Sequence, residues 1–356
     1  MRRALAVLAT VMGCFVAGHA SNLPQSQPVA TLALAQLLPP GSGAVVTESV
    51  AFVSDTSIAI GLCQRWPGTD CILSLIRRDG DVLRSYALAS HFRAGMSIHV
   101  SRGGEILTTP VGMFPAVLFS ADLSEARELP SFHLASRSGN TAVEQKGGRW
   151  KIYQVLPKLE VVREGTSEVE AISDSLVVLR EGDIISTETL QGKLLGSFSV
   201  RPRSKCASIV GLASDDRLYW EDCKGSRMVD LNGKEKLQLH RPKGWGYQPF
   251  WSADGKRLLF DHFDRKISIL RSTAEDLIAI TTLGMGAGDE QDNHEEVEVL
   301  DTVSGACCFD WKRTFPEGSE ASANDATISP SGEFVAIAAG GTLSIYRVTE
   351  ACGANK

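Results

Sequence analysis

Trp251-Ser252-Ala253-Asp254-Gly255-Lys256-Arg257-Leu258-Leu259-Phe260 decides the fold of this chain. An apolar residue leads into Ser, a short polar turn with Gly follows, and an apolar run resumes. Ser and Asp side chains bond nearby backbone N–H groups, and Gly accepts positive φ, so this pattern closes a hairpin between two strands. The pattern recurs at Val53-Ser54-Asp55-Thr56-Ser57-Ile58, Val100-Ser101-Arg102-Gly103-Gly104-Glu105-Ile106 and Ala135-Ser136-Arg137-Ser138-Gly139-Asn140-Thr141. Further copies are Ile172-Ser173-Asp174-Ser175-Leu176, Ala213-Ser214-Asp215-Asp216-Arg217-Leu218 and Ile328-Ser329-Pro330-Ser331-Gly332-Glu333-Phe334. The steps between successive Ser residues are 47, 35, 37, 41, 38 and 77. Five of the six lie near the roughly 40 residues that four short strands and their turns require, which points to a radial array of small sheets.

A second signal follows several copies: strand, Gly-containing turn, strand. It occurs at Arg77-Arg78-Asp79-Gly80-Asp81, Leu190-Gln191-Gly192-Lys193, Asp230-Leu231-Asn232-Gly233-Lys234 and Asp301-Thr302-Val303-Ser304-Gly305. These read as hairpins between a third and a fourth strand, with a looser version at Ser120-Ala121-Asp122-Leu123-Ser124. Seven units of four antiparallel strands predict an all-β chain folded as a seven-bladed β-propeller.

Two copies carry a resemblance. Tyr247-Gln248-Pro249-Phe250 running into the hairpin at Trp251, and Ala326-Thr327-Ile328-Ser329-Pro330-Ser331-Gly332, resemble the TolB-type, WD-like propeller repeat of bacterial secreted proteins. The Gly-His and Trp-Asp marks of true WD repeats are absent, and the other five copies are degenerate. The resemblance implies a ring closed by a strand from the opposite terminus. After Ile337 only Thr342-Leu343-Ser344-Ile345-Tyr346-Arg347-Val348 remains for a third strand. Val29-Ala30-Thr31-Leu32-Ala33-Leu34-Ala35 is expected to supply the fourth. The long step of 77 is read as an insertion in the sixth blade at 261–296, with an eighth, decayed blade as the alternative.

The N-terminus reads as a secretion leader. Arg2-Arg3 precede an apolar run from Ala4 to Ala17, and Gly18-His19-Ala20 offers a small-x-small cleavage site after Ala20. The alternative is a lipoprotein signal ending at Cys14. The expected mature domain is therefore 21–356, secreted or periplasmic, soluble and monomeric, with no transmembrane segment. The formal charge of −6 falls to −8 once the two leader Arg are removed. A mildly acidic surface argues against binding a phosphate backbone, so no nucleic-acid partner is expected. An oxidising compartment suits local disulfides Cys63–Cys71 and Cys206–Cys223, and Cys352 is expected to pair with Cys307 or Cys308.

Chemistry-bearing patterns are sparse. Asp289-Glu290-Gln291-Asp292-Asn293-His294-Glu295-Glu296 is rich in hard oxygen donors, and Asp289, Glu290, Asp292 and His294 are the candidate metal residues, for Ca²⁺. The run lacks the converging register of a calcium loop, and a solvated acidic loop is its plain reading. His91, His99, His133, His240 and His262 are scattered and read as surface or packed residues. No Gly-x-Ser-x-Gly elbow is present, and Gly284-Met285-Gly286-Ala287-Gly288 lacks the Gly-Lys-Ser/Thr of a phosphate loop. Trp66, Trp245, Tyr247 and Trp251, at turns or strand starts, are candidate surface aromatics for a protein, small-molecule or glycan ligand, with inter-blade packing as the alternative. These residues together predict a non-catalytic binding propeller that needs no cofactor. The competing expectation is a propeller enzyme, a lactonase-like hydrolase or a redox subunit, with a metal or cofactor on the axis.

Overall fold

The computed structural model describes residues 27–39, 45–64, 70–201, 209–214, 217–222, 225–239, 250–251, 257–259, 282–283, 294–301, 307–314 and 325–348. Their strands form seven sheets, six of four strands and one of five, with antiparallel pairing throughout. This is the expected β-propeller, and seven sheets agree with the seven Ser turns.

The first blade shows how each is built. Its strands are Val45–Ser54, Ser57–Gln64, Cys71–Arg77 and Val82–Leu88, hydrogen-bonded in chain order. Ile58 to Cys63 and Cys71 to Ile76 are buried without interruption, whereas the outer strand is exposed along nearly its whole length. Both faces of the middle strands are covered by neighbouring blades, so these segments read as continuous apolar runs rather than alternating ones. Separate apolar clusters fill the successive gaps between blades. Ala51, Ile98 and Phe119 join blades 1 and 2; Leu107, Ala142 and Tyr153 join blades 2 and 3; Trp150, Val169 and Val177 join blades 3 and 4.

The recurring Ser is a turn residue. The Ser101 hydroxyl accepts the N–H groups of Gly103 and Glu105, both at 3.1 Å. Ser136 accepts Thr141 N–H and Ser329 accepts Phe334 N–H, each at 3.1 Å. Each Ser also donates its own N–H across the turn, as Ser329 does to the Phe334 carbonyl at 2.8 Å. The third-to-fourth-strand hairpins are equally regular, with Gly80, Gly192 and Gly233 donating to the carbonyls of Arg77, Thr189 and Asp230.

The N-terminal strand closes the ring. Ala30–Ala33 pairs antiparallel with Thr342–Arg347, placing Ala30 opposite Ile345, Thr31 opposite Ser344, Leu32 opposite Leu343 and Ala33 opposite Thr342. Leu34, Leu37 and Leu38 follow it into a cluster with Val50, Phe52 and Ile58 of blade 1 and Ile345 of blade 7. In the five-stranded sheet, Arg257–Leu259 pairs with His294–Asp301, which also pairs with Cys307–Thr314 and with the short Thr282–Leu283. The strand thus begins at His294, inside the expected acidic loop 289–296, because His294, Glu295 and Glu296 pair with Thr314, Arg313 and Lys312.

Candidate functional site

Most residues picked out from the sequence lie outside the described residues: Asp289, Glu290, Asp292, Trp66, Trp245, Tyr247, Cys206, Cys223 and Cys352, together with the leader and the proposed cleavage at Ala20. Trp251 and His294 are described only as backbone, in the strands Phe250–Trp251 and His294–Asp301. Cys63 and Cys71 are bonded to each other. They face each other across the second and third strands of blade 1 and pack with Phe92 and Met96. His99 is buried, with Nε2 3.3 Å from the Thr109 hydroxyl, while His133 is exposed. Among the described residues, no group of three His, Cys, Asp or Glu side chains could hold a metal.

The candidate site that the structure does assemble lies where the ring closes. At two joints between adjacent blades the Ser turns are hydrogen-bonded to one another. Asp55, next to the Ser of blade 1, accepts the Ser331 N–H of blade 7 at 2.9 Å. Asp174, next to the Ser of blade 4, accepts the Ser138 hydroxyl at 2.6 Å and the Asn140 amide at 2.9 Å from blade 3. At the closure the turns leave a cleft of about 530 Å³, bounded by Asp55, Arg78 and Asp79 on one side and by Glu333, Phe334 and Arg347 on the other. Val29 and Ala30, at the start of the closing strand, form its end wall.

Sequence places each of these groups. Arg78 sits in the tight Arg77–Asp81 turn, where its Nη1 donates to the Asp55 carbonyl at 2.8 Å and its N–H to the Thr56 carbonyl at 2.8 Å. This anchoring holds the guanidinium 3.9 Å from the centre of the Phe334 ring, a cation–π contact. Arg347, one strand over, lies 6.0 Å from the same ring and 3.8 Å from Glu333. The cleft thus has an aromatic and aliphatic floor under a rim of two guanidinium groups and three carboxylates. Its lining can hold an apolar group on the floor and charged groups at the rim. Sequence reasoning missed it because Arg78 and Phe334 meet only through ring closure. The one available signal was the charged Arg-Arg-Asp-Gly-Asp turn.

Two carboxylates on the same face are held ionised by their turns. The Ser124 hydroxyl, the Ser124 N–H and the Ser120 hydroxyl, in that order, hold Asp122 down to about 2. The Lys234 N–H, then the Lys236 ammonium, lower Asp230. In the gap between blades 2 and 3, Tyr153 is pushed up to about 12, first by burial and then by its hydrogen bond to Glu144.

Comparison with known proteins places the fold. No family model matches the chain, and no curated protein matches it. Among solved structures, the C-terminal WD40 domain of Sif2 superposes with a TM-score of 0.52 at 10% identity, covering 91% of this chain and 99% of that one. A chain of the mitotic checkpoint complex superposes with a TM-score of 0.50 at 11% identity, covering 98% of this chain and all of the other. At such identities the likeness is one of fold: this chain is built as a WD40-like β-propeller.

Proposed function

We propose that this protein is a secreted or periplasmic, non-catalytic β-propeller that binds a partner protein, in the manner of a TolB-type envelope propeller. The observation that carries this reading is the closure cleft: a charged-rim, apolar-floored recess beside the interlocked Ser turns of blades 7 and 1. Such a recess accepts an apolar side chain of a partner while its arginines and carboxylates set orientation. The WD40-like fold supports the reading, since one structural neighbour was solved within a multi-protein complex. The leader expected at 1–20 and the Cys63–Cys71 bridge support an oxidising compartment.

Native mass spectrometry of the mature protein from its own export route, with metal analysis of the same sample, tests this. A mass matching cleavage after Ala20, with a co-purifying protein lost in Arg78→Glu and Arg347→Glu variants, is the expected result. A stoichiometric metal without a protein partner would overturn it in favour of the enzyme reading and direct attention to residues 289–296.

A further inference from the structure

We propose that blade 2 carries a membrane-surface contact, in which the turn around Val111–Phe114 enters the interfacial zone of an anionic bilayer while basic side chains of blade 3 meet the headgroups. The face concerned is opposite the Ser turns, where second and third strands connect. Turns are normally polar, but Pro110-Val111-Gly112-Met113-Phe114-Pro115 has no polar side chain at all. Val111 is 58% exposed, Met113 72% and Phe114 42%. Contiguous exposed apolar groups of this kind mark interaction sites rather than ordinary surface.

The turn is also fixed in place. The Val111 N–H bonds to the Gly95 carbonyl at 2.8 Å, and Gly112 adopts a φ of 100°, which turns the chain between two prolines. The Phe114 ring stacks on His91 with centres 4.8 Å apart and planes 11° apart. His91 in turn stacks on Phe92, which is buried. A flexible apolar loop would fold back onto the body; this one is braced outward.

Charge selects the occupant. The equivalent turn of blade 3 is Lys146-Gly147-Gly148-Arg149, exposed throughout. It projects from the same face, because blades 2 and 3 pack side by side through Leu107, Ala116, Ala142 and Tyr153. A convex apolar tip beside a basic tip matches the layered chemistry of an anionic membrane, with hydrocarbon below and phosphates above. The next turn, Glu181-Gly182-Asp183, is exposed and acidic, so the contact tilts toward blades 2 and 3.

Co-sedimentation of the intact mature protein with vesicles tests the proposal. Binding is expected to phosphatidylcholine vesicles containing phosphatidylglycerol, and to weaken on raising salt. Replacing Lys146 and Arg149 with Gln should weaken it about tenfold or more. Met113→Asp with Phe114→Asp should abolish it; Met113→Asp alone, at a side chain 72% exposed, should weaken it with the melting temperature held, which separates lost binding from lost folding. No sedimentation with anionic vesicles, or variants that sediment like the parent, would overturn the proposal. So would loss of a co-purifying protein in the Met113/Phe114 variant with no vesicle binding by the parent, which would make the turn a protein contact.

Discussion

At the scale of single residues, the turns between third and fourth strands act as small electrostatic devices as well as bends. Asp122 illustrates it: the Ser124 hydroxyl at 2.6 Å, the Ser124 N–H at 3.0 Å and the Ser120 hydroxyl at 2.8 Å all donate to one carboxylate oxygen. Donors favour the ionised form, so the folded-state value falls from 3.8 to about 2. A depressed folded value contributes stability above 3.8, and that contribution is lost as pH falls from 3.8 to about 2. Carboxyl NMR should therefore find the Asp122 midpoint near 2, and Ser124→Ala should move it up toward 3.8; a midpoint unmoved by the substitution would remove the hydroxyl as the leading cause. Gly332 supports a second prediction. It sits at φ 76° and donates its N–H to the Ser329 carbonyl at 2.9 Å. A β-branched side chain is strained there, so Gly332→Val should cost about 1–3 kcal/mol in denaturant unfolding.

At the scale of elements, the inner strands of neighbouring blades are tied by side chains that accept backbone N–H groups. The Ser49 hydroxyl of blade 1 accepts the Ile98 N–H of blade 2 at 3.3 Å. Across the closure, the buried Asp325 of blade 7 accepts the Val50 N–H of blade 1. Asp325→Ala leaves that buried N–H without its acceptor and should cost about 1–3 kcal/mol, whereas Asp325→Asn keeps an oxygen in place and should cost less. Equal losses in the two variants, measured by urea unfolding, would show that the charge rather than the hydrogen bond matters. Elements were also what the sequence revealed most readily. Ser turns, Gly hairpins and the Cys63–Cys71 pair are local chemistry, written within a dozen residues. The cleft was not legible, because Arg78 and Phe334 are brought together only by the last blade meeting the first. The Val111–Phe114 turn was legible in principle, as a turn without a polar side chain. Its signal is weak beside Trp66, Trp245, Tyr247 and Trp251, because Val, Met and Phe in a turn suit inter-blade packing as well as a surface contact.

At the scale of the whole molecule, a propeller has one weak point, the joint where its ring begins and ends. Elsewhere two blades share continuous chain; at the joint they are held by contacts alone. Here the joint is a strand exchange, because the last blade takes its outer strand from residues 30–33 at the start of the chain. Unfolding of either terminus therefore opens the same seam. Leu34 is completely buried among residues of blades 1 and 7, so Leu34→Ala should cost about 2–5 kcal/mol although it lies near one end of the chain. Deleting residues 21–38 should cost more. It strips Leu32, Leu34, Leu37 and Leu38 from the seam cluster and leaves the strand Thr342–Arg347 as an open edge, free to pair with other chains. The truncated protein should melt well below the parent, and should self-associate in light scattering more than the parent does. A synthetic peptide of residues 27–38 added in trans should restore part of the lost stability, since the missing strand needs no covalent link to pair. A truncated protein that melts like the parent would mean that the blades hold the ring shut without the exchanged strand.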